Sequence, residues 1–193
     1  MSEVCKISDG DFFTQTLFVD EYNGHSWEYC KDLCIDKKVL HIGCSDFPFD
    51  NSKGTLHGYL SPIANELHGC DINGIEEMKK HYPGIYFNSI DEVNEQYDVI
   101  LVPNIIEHLN NPGLFIGKLF DISFNSMFVL VPNCSVIEQS KYDKGVFTEK
   151  IHPDHYAWYS PYTLYNLFKP YIQNTESKLI FFDNRNMIGL QIN

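Results

Sequence analysis

The sequence is poor in arginine. Of its 14 basic residues only Arg185 is an arginine, and against 26 acidic residues the formal net charge is −12 at pH 7. The lysines are spread without a dense cluster, so the chain has no counterion-releasing surface for a phosphate backbone. Nucleic acid and anionic membranes are therefore not expected as partners. Long hydrophobic runs are missing too: nowhere does the chain approach the roughly 18 uninterrupted apolar residues of a membrane span. Met1 to Gly10 carries polar and acidic residues and no apolar signal core, which reads as a cytoplasmic protein. There is no CxxC pair. The six cysteines (Cys5, Cys30, Cys34, Cys44, Cys70, Cys134) are scattered through an apolar chain, and reduced, mostly buried thiols are expected in place of a disulfide framework. Internal repeats and low-complexity tracts are absent as well.

What is present is an ordinary globular composition, 44% apolar over 193 residues. A chain of this length buries about 70% of the surface its unfolded form exposes, enough for one well-developed core. Apolar runs of strand length alternate with amphipathic stretches of helix length, the pattern of a parallel sheet covered on both faces. The predicted strands are Lys38 to Gly43, Glu66 to Ile72, Ile85 to Asn88, Tyr97 to Val102, Ser126 to Val131, Leu179 to Phe182 and Met187 to Ile192, the last two forming a hairpin around Asp183 to Asn186. The predicted helices are Leu56 to Leu67, Gly74 to His81, Pro112 to Phe124 and Pro161 to Tyr171. Asn111-Pro112 and Ser160-Pro161 each supply an N-cap followed by proline in the first turn. The fold class is thus α/β: a Rossmann-like, doubly wound, seven-stranded and mostly parallel sheet with an antiparallel C-terminal hairpin. One domain spans 1–193, with 1–34 read as an N-terminal helical extension and 132–159 as a lid.

Chemistry is expected where the strands end. Gly43-Cys44-Ser45-Asp46 follows the first strand, and a glycine there lets backbone approach a ligand. Asp71, at the end of the second strand, can accept both hydroxyls of a ribose; by itself it can also cap the helix that follows, and its pairing with Gly43 favours an adenosine-containing ligand. A nicotinamide enzyme would need G-x-G-x-x-G, whereas positions 43, 45 and 48 are Gly, Ser and Pro. His108 follows the fourth strand, and His152 and His155 lie in the segment 132–159, which is too long for an ordinary connection and has the content of a substrate cover. His108 and His155 also have structural readings, as packing at a helix start and as a loop hydrogen bond.

These residues resemble the class I S-adenosylmethionine-dependent methyltransferases. Val39-Leu-His-Ile-Gly-Cys-Ser45 is similar to their glycine-rich motif, Gly69-Cys-Asp-Ile72 to the second-strand acid, and Tyr97 to Leu109, ending in Ile-Glu-His-Leu, to the fourth-strand motif. The segment His152 to Leu164 resembles small members that modify sugars and surface polysaccharides. The resemblance implies S-adenosylmethionine as cofactor, held by His41, Gly43, Cys44, Ser45, Asp46, Asp71, Ile72, Asn88, Pro103 and Asn104. It implies O-methylation of a small polar acceptor, a sugar or glycan precursor, with His155, His108 and His152 as catalytic candidates. A non-catalytic, methyltransferase-like binding module is the alternative, and a nicotinamide-dependent oxidoreductase the lesser one. The chain departs from the family at His41, where an acid is usual, and at Ser45 and Phe47, where glycines are; Asp46, Asp50 or Glu107 can take the missing acid's place. Glu107, His108 and a lid histidine can gather a divalent ion in resembling enzymes, but Asn104 replaces a further carboxylate, so no metal is assigned. Tyr156, Trp158 and Tyr159 fit either a sugar-stacking platform or a pin that fastens the lid.

Overall fold

The computed structural model describes residues 3–9, 12–45, 54–135, 140–143, 145–149 and 152–193. Its elements, in chain order, begin with β1 (Glu3–Asp9), β2 (Phe12–Thr16), β3 (Val19–Glu21), α1 (Ser26–Cys34), β4 (Lys38–Ile42), α2 (Leu56–Leu60), β5 (Glu66–Cys70), α3 (Ile75–His81) and β6 (Ile85–Phe87). They continue with β7 (Tyr97–Pro103), α4 (Pro112–Asp121), β8 (Phe124–Pro132), β9 (Ser140–Asp143), β10 (Val146–Glu149), α5 (Pro161–Phe168), β11 (Ser177–Phe182) and β12 (Met187–Ile192).

The main sheet has eight strands in the order β3-β11-β12-β8-β7-β4-β5-β6. All seven predicted strands are in it; the eighth, β3, lies at the edge in parallel register with β11. Only β12 runs against its neighbours, antiparallel to both β8 and β11. The β11–β12 turn carries Asp183, Asn184 and Arg185 at positive φ, a conformation that asparagine and aspartate tolerate better than most residues. The N-terminal segment differs from the helical extension expected of it. β1 and β2 pair as a separate antiparallel hairpin, β3 joins the sheet, and helix is confined to Ser26–Cys34.

Side-chain alternation along the strands builds two apolar layers. On one face Leu40, Ile100, Val102, Met127 and Val129 pack with Ile116 and Leu119 of α4 and Leu164 and Phe168 of α5. On the other, Val39, Val99, Leu101, Phe128 and Leu130 pack with Cys30 and Cys34 of α1 and Leu56 and Leu60 of α2. Each fully buried aliphatic side chain contributes about 1.5 to 3 kcal/mol. The thiols of Cys30, Cys34, Cys44 and Cys70 are free and buried, as their apolar setting suggested.

Three helices are shorter than their sequence patterns, each for a local reason. α2 stops at Leu60 because Pro62 has no N–H to continue the ladder, and the chain turns so that Asn65 and Glu66 both donate to the Lys37 carbonyl. α5 stops at Phe168: Lys169, still in the right-handed helical region, donates to the Tyr165 carbonyl, and Pro170 after it has no N–H to continue the ladder. α4 ends at Asp121, and Phe124 already pairs with Tyr97 as the start of β8. Among the described residues no helix is long and apolar enough to cross a membrane.

Candidate active site

From β4 the sheet grows toward β5 and β6 on one side and toward β7 and β8 on the other, so the chain order reverses between β4 and β7. In open α/β sheets the crevice outside the carboxyl ends at such a point is where ligands bind. Gly43 is there, immediately after β4, at φ +76°, with its N–H donating to the Cys70 carbonyl at 2.8 Å. Facing it is the turn after β7, where Asn104 has φ +53° and donates its N–H to the Leu130 carbonyl at 2.8 Å. A Cβ built on Gly43 would fall 2.0 Å from Cδ1 of Ile105. The glycine is thus demanded by positive φ and by the close approach of Ile105, a partner that no sequence signal marks.

Asp71 follows β5 at the same edge. Its Oδ2 accepts the N–H of Ser45 at 3.0 Å and the Ser45 hydroxyl at 2.8 Å, and its Oδ1 accepts the N–H of Asn73 at 3.0 Å. It does not cap α3, whose N-cap is Gly74 in the left-handed region. Beside it Ile72 is 82% exposed, an isoleucine offered to solvent. Cys44 and Ser45 are each only about 1% exposed, so neither side chain is offered to a ligand. Asn88 and Asn104 are exposed and Pro103 is half-buried, all at the carboxyl edge. Asp46, like Phe47 and Asp50, lies outside the described residues.

His41 is placed elsewhere. It projects from β4 into the α1/α2 layer, where it stacks on His57 with ring centroids 5.5 Å apart, and His57 Nε2 meets the Tyr86 hydroxyl at 3.0 Å. Both ring nitrogens of His41 are buried without a partner. Burial, reinforced by His57, holds His41 well below the ordinary imidazole range, and burial lowers His57 to about 4. His41 is therefore a neutral interior ring under α2, and its place in the cofactor set has no geometric support.

The catalytic candidates do come together. His108 ends a 3-10 turn, Ile106–His108, after β7. His155 packs edge-on against it with centroids 4.7 Å apart, and His152 lies 4.8 Å from His155. One nitrogen of each ring lies within 4.8 Å of the other two. His108 Nδ1 donates to the Asp154 carbonyl at 3.1 Å, which orients that ring. Burial, with smaller contributions from His108 and His152, holds His155 below its ordinary range, so it is neutral near pH 7.

Backbone hydrogen bonds hold the His155 segment against the turn after β7. The Glu107 carbonyl accepts the N–H groups of Tyr156 at 2.8 Å and Ala157 at 3.2 Å, Cys134 N–H donates to the Tyr159 carbonyl at 2.9 Å, and the Tyr159 hydroxyl donates to the Ile106 carbonyl at 3.3 Å. The C-terminal part of the expected lid is thus docked, and the β9–β10 hairpin occupies its middle; residues 136–139, 144, 150 and 151 lie outside the described residues. Buried Tyr159 is a pin. Trp158 packs on His155 at 5.3 Å, and Tyr156, 73% exposed, is the aromatic left to meet a ligand. Sequence marks Glu107 only as a substitute acid or a metal ligand. Its carboxylate is 1% exposed with neither oxygen partnered, and burial raises its pKa to about 7.

Two groups can be held here. The single open lone pair of Asp71, the exposed Ile72 face and the glycine turn suit an adenosine moiety. The three imidazoles suit a divalent cation of the zinc type more than magnesium, since the set contains no oxygen ligand.

No family model matches the sequence, and no curated protein does. Solved structures do resemble it. A chain of the Pnkp1/Rnl/Hen1 RNA repair complex superposes with TM-score 0.63 at 14% identity, over 87% of this chain and 40% of that one. A SAM-dependent methyltransferase from Aquifex aeolicus gives 0.58 at 12%, over 86% and 87%. The plantazolicin methyltransferase BpumL gives 0.59 at 16%, over 81% and 75%. The fold is that of the S-adenosylmethionine-dependent methyltransferases. The mixed sheet with its reversed β12 belongs to that fold. The chain spans less than half of the RNA repair protein and most of the other two.

Proposed function

We propose that the chain is an S-adenosylmethionine-dependent methyltransferase that O-methylates a small polar acceptor, a sugar or glycan precursor. The observation that carries this reading is the shared edge: Gly43 and Asp71 end β4 and β5 where a neutral His155 is held against His108 beyond β7. The cofactor supplies an electrophilic methyl group on a sulfonium. Asp71 would hold its ribose, backbone at 43–45 and 103–104 would line its path, and Ile72 would cover the base. Transfer then needs in-line placement and exclusion of water, and a hydroxyl acceptor also needs a base. His155 is suited to that, because burial keeps it unprotonated near neutral pH and the docked segment fixes its backbone. Tyr156 stands next to it with its face open, where a pyranose ring can stack.

Similar solved structures carry methyltransferases of different acceptors, among them 1,6-didemethyltoxoflavin, magnesium protoporphyrin IX and plantazolicin, so the acceptor is argued from the site. The net charge of −12 argues against RNA. A second reading is favoured by the spacing of the three imidazoles: a cation on His108, His152 and His155 would polarise the acceptor oxygen, replacing the base by a Lewis acid. Calorimetry with S-adenosylmethionine and with NAD, followed by transfer of a labelled methyl group to sugar and sugar-nucleotide acceptors, tests the reading. Micromolar binding of the first alone, with label in the sugar, is the expected result. NAD binding returns the oxidoreductase, and cofactor binding without transfer to any acceptor returns the binding module.

A further inference from the structure

The Asp71 carboxylate has about four lone-pair sites. Three of them are filled from within the chain: Oδ2 takes the Ser45 N–H and the Ser45 hydroxyl, and Oδ1 takes the Asn73 N–H. A ribose presents two vicinal hydroxyl donors, and one acceptor site remains. Ser45 is only 1% exposed, and its hydroxyl is committed to Asp71 Oδ2 at 2.8 Å. Its position in the chain also matters. Gly43 and Ser45 belong to one turn, tied to β5 by the Gly43 N–H on the Cys70 carbonyl at 2.8 Å, so the Ser45–Asp71 contact is part of how the loop is held.

We infer that Ser45 sets the cofactor's affinity and its ribose specificity by withholding one acceptor site of Asp71, so that the carboxylate grips a single ribose hydroxyl. Ser45 is a positioning residue acting through Asp71. The inference rests on the proposed cofactor and deepens that reading. Two consequences are peculiar to it. The wild-type protein tolerates loss of either ribose hydroxyl, because the remaining one still fills the open site. Removing the Ser45 hydroxyl, with the backbone bond kept, opens a second site and lets Asp71 chelate the diol.

The experiment is calorimetric titration of the full chain with S-adenosylhomocysteine and with its 2′-deoxy and 3′-deoxy forms, on wild type and on Ser45→Ala. In wild type both deoxy ligands are expected to bind within about threefold of the parent. In Ser45→Ala the parent ligand is expected to bind about two- to tenfold more tightly, the worth of one added hydrogen bond, while the deoxy ligands gain nothing. A structural loosening of the turn would instead weaken all three ligands alike in the variant, and that result overturns the inference. So does a wild-type protein that loses tenfold or more with each deoxy form, a measurement that stands even where the variant fails to fold. Absence of S-adenosylhomocysteine binding by wild type removes the cofactor reading itself, and the inference with it. Binding of the parent with loss of both deoxy forms removes the inference alone.

Discussion

Gly43 and Ile105 occupy the same space as far as any side chain on residue 43 is concerned: a Cβ added to Gly43 lies 2.0 Å from Ile105 Cδ1 and 2.7 Å from its Cγ1. The β4 turn is therefore locked against the β7 turn before any ligand arrives. Gly43→Ala should destabilise the fold by about 2 to 4 kcal/mol through overpacking and positive-φ strain together. In an Ile105→Ala background the packing part should vanish, leaving about 1 to 2 kcal/mol of backbone strain. Denaturant unfolding of the four proteins checks this; equal costs in both backgrounds would show that Ile105 is not the partner that matters.

Asp71 has two tasks in this site, bracing Ser45 and receiving a ribose hydroxyl. Asp71→Ala should lower S-adenosylhomocysteine affinity by about 2 kcal/mol, the range of a hydrogen bond to a charged group. It should also raise amide exchange at Ser45. Unchanged affinity with an intact fold would leave Asp71 only the bracing role.

His155 and His108 are separable by turnover. If His155 is the base, His155→Gln lowers the rate by about a hundredfold or more and leaves cofactor affinity nearly unchanged. Rate loss confined to His108→Gln moves the base to the turn after β7.

The cation reading has its own signature. If the three imidazoles hold an ion, a chelator abolishes turnover, Zn²⁺ restores it, and His152→Ala weakens Zn²⁺ binding about tenfold or more. Turnover that resists chelation keeps His155 as a base.

Glu107 makes stability depend on pH in a stated direction. Its folded pKa is raised by burial to about 7 from an ordinary 4.5. The unfolded chain therefore ionises first, and the stability due to the neutral carboxyl is present below about pH 4.5 and lost as pH rises through 7. Glu107→Gln, isosteric and always neutral, should match wild type near pH 4.5 and exceed it by about 3 kcal/mol at pH 8. His57 slopes the other way: its folded pKa of about 4 is depressed by burial, so stability is lost as pH falls from about 6.5 toward 4. A difference between Glu107→Gln and wild type that does not change with pH would place the carboxylate in contact with solvent.

The sequence by itself determined the seven central strands, the α/β class and the two strand ends that carry Gly43 and Asp71. Those features are written locally, in continuous apolar runs, in Asn-Pro and Ser-Pro helix starts, and in small or acidic residues where a run stops. It also singled out His108, His152 and His155, but left them as loop residues with an even structural reading. Only the tertiary structure put His155 on His108, through backbone bonds from Tyr156 and Ala157 to the Glu107 carbonyl. Only the tertiary structure turned His41 away from the cleft into a stack with His57, set Ile105 against Gly43, and added β3 to the sheet edge. The same holds for the pairing of Ser45 with Asp71, 26 positions apart. The reason is physical. Periodicity and capping depend on neighbours within one turn or one strand, whereas these contacts join elements that meet only after the layers have packed, where excluded volume and hydrogen-bond satisfaction choose the partners.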